Sequence, residues 1–238
     1  MIKLNIVIPT LNSEKTLFNT ISRVVDKAEV YVIDGGSSDS TKDIATSLNA
    51  LFTVTKPSRG LQLSTGANLI YDGWILFIHS DTFLSEGWYD EVIKFIQKSD
   101  SKKKAGYFKF KFDDNGLFAK LIEAFVGLRC RFFSLPYGDQ CLLIHKSLYT
   151  MVGGFKSISL MEDVDLISRL DKKNLYNIPV FAITSSSRYK KRGYLYNIIK
   201  NFLCLIMFKL GFSINLIKFL IPQRFVGPDA LTPNTIFL

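Results

Sequence analysis

The 238-residue sequence predicts an α/β fold with a mostly parallel central sheet, helices on both faces and amphipathic helices at the C-terminus. Three observations predict it. Short, wholly apolar runs alternate with helix-period stretches through roughly the first hundred residues. Pro, Gly and Asp close those runs, and the polar clusters fall just beyond them. Strands that are apolar on both sides and separated by helices are the mark of a parallel sheet covered on both faces.

The elements follow in order. "LNIVIPT" is a strand stopped at Pro9, and "SEKTLFNTISRVVDKA" a helix with Asn12 or Ser13 as its cap and Leu17, Ile21, Val24 and Val25 on one face. "EVYVID" is the second strand, "GGSSDST" a turn and "STKDIATSL" a helix with Asp43 in its first turn. "LFTVT", "SRGLQLSTGANLIY", "WILFIH" and "EGWYDEVIKFIQK" repeat the alternation. "AGYFKFKF" then alternates like a half-exposed strand, and "GLFAKLIEAFVGLRCRFFS" reads as a long amphipathic helix. "PYGDQ" is a loop, "CLLIH" a strand, "GGF" a sharp turn and "MEDVDLISRLDKK" a helix. Without repeats or low-complexity linkers, one domain is expected over residues 1–187, with a basic amphipathic helical segment over 188–238.

The net charge of +9 is concentrated. Residues 172–228 hold ten Lys or Arg and no Asp or Glu, so the remaining 20 basic and 21 acidic residues nearly cancel. A local basic block implies an anionic surface partner for that segment alone. Its lysines recur about every nine residues (Lys200, Lys209, Lys218) among Phe, Leu and Ile, too often for a comfortable membrane span. Two arrangements suit it: helices lying in a membrane interface, or a packed helical pair closing the domain. The missing acids favour the first. Nucleic acid is the poorer partner, because the charges are interleaved with long aliphatic side chains rather than stacking platforms. Cys130, Cys141 and Cys204 form no CxxC and sit among apolar residues, as buried free thiols of a reducing compartment do. "MIKLNIVIPT" resembles no secretory leader, so a cytoplasmic location is expected.

Several loops could carry chemistry. No GxGxxG follows the first strand and no GxxxxGK[ST] occurs, so dinucleotide and Walker-type sites lose their support. The strand-end loops are acidic instead. Asp34 ends the second strand, Asp81 follows the fourth, and Glu162 and Asp163 open a late helix. Such carboxylates suit a hard cation held partly through substrate phosphates. Asp34 can accept from a nucleobase or ribose, or simply belong to a capped turn. Arg59 can pair with phosphate, or be solvated. On a helical wheel Asp163 shares the apolar stripe of Leu166, Ile167 and Leu170, whereas Glu162 falls with Asp165 and Arg169 on the wetter face. Asp163 is therefore the better general-base candidate, and Asp165 and Arg169 form an i,i+4 pair.

Taken in order, "IVIPTLNSEKTL", "VYVIDGGSSDST", "SRGLQLSTGAN", "ILFIHSDTFL" and "VGGFKSISLMEDVDLISRL" resemble the family 2 glycosyltransferases, which have the GT-A fold. The resemblance spans roughly residues 4–171 and is nearest to the bacterial selenodomain-associated transferases, where a "PYGDQ"-like loop and a basic tail recur. It implies a nucleotide-binding first loop at Pro9, Thr10, Asn12 and Glu14. It implies base contact at Asp34, a donor-loop cation at Arg59, and a divalent metal, Mg²⁺ or Mn²⁺, on Asp81. Asp163 matches the family's base, and Arg188-Tyr189 echoes an Arg-Trp pair that closes over the diphosphate. His79 stands where most members carry a first metal-site Asp. The resemblance implies inverting transfer from a nucleotide-sugar donor to an acceptor hydroxyl, with a lipid-linked acceptor as one form. The expected location is peripheral, on the inner face of the plasma membrane. A nucleotidyltransferase and a non-catalytic nucleotide-binding module are the alternatives.

Overall fold

The computed structural model describes residues 2–219, the side chains of Phe133, Arg188, Arg192 and Phe219 excepted. The expected segment beyond residue 219 lies outside the described residues.

Among the described residues eight strands form one sheet: β1 (Leu4–Thr10), β2 (Glu29–Asp34), β3 (Leu51–Val54), β4 (Trp74–Phe77), β5 (Thr82–Leu84), β6 (Ala105–Phe112), β7 (Leu142–His145) and β8 (Leu175–Thr184). Their spatial order is β3-β2-β1-β4-β7-β6-β8-β5. The first four run parallel, as their apolar runs predict. β7 then pairs antiparallel with both β4 and β6, β8 lies parallel to β6, and β5 closes the far edge antiparallel to β8.

The helices are α1 (Leu17–Ile21), α2 (Thr41–Ser47), α3 (Arg59–Leu69), α4 (Trp88–Ile96), α5 (Leu117–Phe133), α6 (Lys146–Met151), α7 (Glu162–Ser168), α8 (Ser187–Arg192), α9 (Tyr194–Lys209) and α10 (Ile214–Phe219). Alternate residues of β1 serve the two faces of the sheet. Ile6 and Ile8 join Leu17, Ile21, Val92 and Phe95 from α1 and α4 on one side. Val7 joins Leu63, Tyr149, Phe155 and Leu166 on the other. The two largest apolar clusters therefore lie on either side of the sheet, as burial on both faces requires, and smaller ones lie under α5 and where Cys204 of α9 and Ile217 of α10 meet Tyr137, Leu160 and Val164.

Four details differ from the sequence reading. β3 is an edge strand with Leu51 and Val54 exposed, because nothing pairs with its outer side among the described residues. α1 ends at Ile21 and gives way to turns, a stretch rich in β-branched Val24 and Val25 that favour helix weakly. Asn12 does not cap that helix. It adopts φ 49° and accepts from Ser38 N–H at 3.0 Å, tying the first loop to the second. β5 and β8 had no counterpart in the pattern of the sequence; β8 contains Pro179, and its register with β6 slips between Phe108 and Lys109.

The parallel register sets the site. Thr10 lies opposite Asp34, so β1 and β2 end together, and the loops after β1, β2, β3 and β4 emerge at one edge. Gln62 of α3, fully buried, fastens that edge by donating to the carbonyls of Thr10 and Ile33 at 2.7 and 2.8 Å.

Candidate active site

Asp34 is buried, and all its acceptor positions are taken by its own surroundings. Oδ1 accepts from the Thr10 and Ser37 hydroxyls at 2.9 and 2.5 Å, and Oδ2 from Gly36 and Ser37 N–H at 2.8 and 2.6 Å. A carboxylate with four donors is a loop-shaping group. Glu14 accepts from Ser40 N–H at 3.3 Å, and its own N–H donates to Asp39, so the two loops are laced together. Pro9 and Thr10 are buried at the end of β1. These residues make one structured rim.

A second group forms where α3 meets α7. Arg59 opens α3 but is only 5% exposed, and its Nε lies 2.7 Å from Glu162 Oε1. The two atoms are close enough to be an ion pair, though the N–H does not point along the hydrogen-bond direction. The guanidinium also contacts His79 Nε2 and lies 4.0 Å from Asp163 Oδ2. Gly60 makes this approach possible. Its N–H donates to Ile158 O at 3.1 Å, and a Cβ there would run into the carbonyls of Lys156 and Ile158.

Glu162 corrects the wheel-based expectation of a wet-face residue. It is 2% exposed and faces Arg59. The residue before it, Met161, holds φ 62° and turns the chain so that the first residues of α7 enter the interior. Burial raises its carboxyl above the ordinary range against the pull of Arg59. Asp165 makes the expected pair with Arg169 at 2.6 Å and also pairs with Lys156 at 2.7 Å, but it too is buried rather than on a wet face.

Asp163 is 5% exposed. Oδ1 accepts from Val164 N–H at 2.8 Å, and Oδ2 from Gly138 N–H at 2.7 Å. Gly138 belongs to a short 3-10 turn, Gly138–Gln140, in the "PYGDQ" segment. That segment is secured from α5: Arg129 donates to Leu135 O and Gln140 Oε1, each at 3.0 Å, and its guanidinium stacks 3.5 Å from the Tyr137 ring centre. Cys141 follows at φ 55° and ψ 166°, a strained conformation for a side-chain-bearing residue. A small cavity lined by Arg59, Phe77, His79, Tyr137, Gly138 and Asp163 lies beneath the segment.

Asp139 is the residue that sequence reasoning passed over. It is 2% exposed, neither oxygen has a hydrogen-bond partner among the described residues, and burial pushes its carboxyl up to about 7. A loop Asp carries no sequence signal of burial, whereas Glu162 could have been suspected from its neighbour Asp163. Asp81 lies in the turn between β4 and β5, half-buried. Among the described residues no three His, Cys, Asp or Glu side chains are grouped to hold a metal by themselves. A hard carboxylate at a strand-end turn does fit a cation completed by ligand phosphate oxygens. The backbone of Arg188 lies in α8, apart from this group in sequence; its side chain lies outside the described residues.

The edge-loop architecture has a match. Residues 5–156 match Glycosyl transferase family 2. The chain belongs to that family. Its fold is shared with several glycosyltransferase structures. Glucosyl-3-phosphoglycerate synthase from Mycobacterium tuberculosis, in complex with Mn²⁺ and UDP-glucose, superposes with a TM-score of 0.63 at 15% identity, over 89% of this chain and 80% of that one. A complex of the same synthase with Mn²⁺, UDP and glucosyl-3-phosphoglycerate gives 0.64 at 16% identity, over 89% and 81%. S. aureus TarS 1–349 in complex with UDP gives 0.57 at 14% identity over 86% of this chain, which spans 65% of that length. No curated protein sequence matches the chain.

Proposed function

We propose that the chain transfers a sugar from a uridine-diphosphate sugar to an acceptor hydroxyl with inversion, and that Asp163 is the general base. The observation that carries this reading is the position of Asp163: a buried carboxylate at the sheet edge, oriented by two backbone N–H groups and flanked by Arg59 and His79. UDP is favoured because structures of the same fold contain it.

In the reaction, Asp163 accepts the proton of the acceptor hydroxyl as that oxygen bonds to the anomeric carbon. The bond from the anomeric carbon to the diphosphate breaks, and its electron pair leaves with UDP. Arg59 and Glu162 hold the carboxylate's surroundings rigid, and the rim made by residues 9–14 and 34–41 receives the nucleotide. A divalent cation, Mg²⁺ or Mn²⁺, held by Asp81 would neutralise charge on the departing diphosphate. Base catalysis of this type is worth roughly 10²–10⁴-fold.

The selenodomain-associated subgroup remains our assignment for the "PYGDQ" loop and basic tail. Residues 1–187 are proposed as the catalytic unit and 188–238 as a segment that docks on an anionic membrane, which suits a lipid-linked acceptor. No described helix is long and apolar enough to cross a membrane.

The test is a panel of nucleotide sugars with Mg²⁺ or Mn²⁺, followed by UDP release. Asp163→Asn should lower transfer by roughly 10²–10⁴-fold while UDP still raises the melting temperature. Transfer unchanged in that variant would overturn the base assignment. UDP binding with no turnover of any donor would favour the non-catalytic module.

A further inference from the structure

Helix α5 is apolar on two sides. Ala119, Ile122, Val126 and Cys130 pack inward against Tyr107, Phe110, Phe112 and Tyr189. On the opposite side Leu117, Phe118, Leu121, Phe125, Leu128 and Phe132 form a second stripe that is 51–71% exposed. At 100° per residue these six fall within one arc of about 100°, a continuous ridge along the helix. Residues of this size in a contiguous exposed patch mark an interaction surface.

Helix α9 is inverted relative to a water-facing helix. Its inward positions Asn197, Asn201 and Cys204 are buried, with Asn197 bonded to Gly193 O and Asn201 to the Tyr189 hydroxyl. Its outward positions are Leu195, Ile199, Phe202 and Leu203, with Leu210 just past its end, each at least half exposed. Thus α9 both packs on the domain and turns an apolar side outward. The two helices meet where the rings of Phe118 and Tyr194 stack, 6.0 Å between centres.

Charge selects the occupant. The exposed charges on α5 are Lys120 and Arg131, while its acid, Glu123, is turned in to accept from Phe112 N–H at 2.8 Å. Lys209 is exposed on α9, and no acid occurs in residues 172–228. At the junction Asp114 is engaged by the Tyr194 hydroxyl and Lys190. Apolar ridges bordered by cations fit an anionic bilayer, where the side chains enter the acyl boundary and the cations meet phosphate. A second copy would bring the same cations face to face.

We propose that the outer sides of α5 and α9 together form a surface that docks on anionic lipid, with Phe118, Phe125 and Phe132 of α5 inserted. This rests on the membrane reading of the C-terminal segment and extends it to a helix of the catalytic unit. Arg129 connects the same helix to the segment that covers Asp163, so docking places the bilayer one helix away from the proposed base.

Co-flotation of the full chain with phosphatidylglycerol and phosphatidylcholine vesicles tests it. Binding to the anionic vesicles is expected. Phe125→Asn with Phe132→Asn should weaken it by about tenfold per side chain, with melting temperature unchanged. Phe202→Asn with Leu203→Asn on α9 should weaken it comparably. Phe125→Trp should be quenched by acyl-brominated lipid, whereas Trp74 and Trp88, 4% and 6% exposed, are shielded. Loss of binding in the α9 variant alone, with the α5 variant unaffected and Phe125→Trp unquenched, would overturn this proposal and leave docking by the C-terminal segment. A wild-type chain that floats with neither vesicle would overturn both. A dimer in light scattering that the α5 variant converts to monomer would assign the surface to a second copy and overturn it.

Discussion

Gly138 N–H donates to Asp163 Oδ2 at 2.7 Å, joining the "PYGDQ" segment to the first turn of α7. A Cβ at Gly138 would sit 3.1 Å from that oxygen and 2.9 Å from His79 Nε2, and would strike the Arg59 guanidinium. Gly138→Ala is therefore expected to displace the segment and cost about 1–3 kcal/mol of stability, as overpacking does. Urea unfolding measures the loss, and an undiminished midpoint would show that the segment can lift without cost.

Arg59 neutralises two carboxylates that are almost wholly buried. Arg59→Met should destabilise the protein by about 3–5 kcal/mol, the usual result of leaving a buried charge without its partner. Glu162→Gln in the Arg59→Met background should recover part of that loss, because the two sites share one interaction. Additive losses in the double variant would mean that the pair is not coupled.

The stability of the fold should fall as pH rises through the range in which Asp139 ionises. Its folded-state value is about 7 against an ordinary 3.8, so the folded chain keeps a proton that the unfolded chain releases. No difference exists below the lower value, the group opposes folding increasingly across the window, and the effect is constant above about 7. Asp139→Asn should accordingly be neutral near pH 4 and stabilising by up to a few kcal/mol near pH 8, because each pH step of one between the two values is worth roughly 1.4 kcal/mol. Thermal melts at the two pH values decide it; a variant less stable than wild type at the higher value would refute the expectation.

If Asp81 holds the cation, UDP and Mn²⁺ together should raise the melting temperature more than either alone. At a hundred times its dissociation constant a ligand adds about 2.7 kcal/mol, several degrees for a chain of this size. Asp81→Asn should abolish the synergy and leave the effect of UDP alone. Synergy retained in that variant would move the metal elsewhere.

Much of the first hundred residues is legible because its signals are local. β1, β2 and β4 announce themselves as apolar runs ending in Thr10, Asp34 and His79, and parallel pairing brings those ends together without further information. The inward placement of Asp163 follows from its sharing a helical face with Leu166 and Ile167. Glu162 was misread for the opposite reason: a wheel describes one helix, and its burial comes from α3, brought close by Gly60 across about a hundred residues of sequence. Gln62 and Asp139 are likewise defined by what surrounds them. The outer ridge of α5 is not legible in the sequence, because amphipathic periodicity identifies a helix with an apolar stripe, not whether a second stripe meets water.

The covered carboxylate also bears on fidelity. If Asp163 is the base, then with Oδ2 occupied by the Gly138 N–H and the side chain 5% exposed, stray water would find no free base beside a donor. On that reading an acceptor that lifts the segment would uncover the base and supply the hydroxyl in the same event. Donor loss to hydrolysis should then stay low until the acceptor arrives, and loosening the turn around Gly138 should raise wasteful hydrolysis relative to transfer.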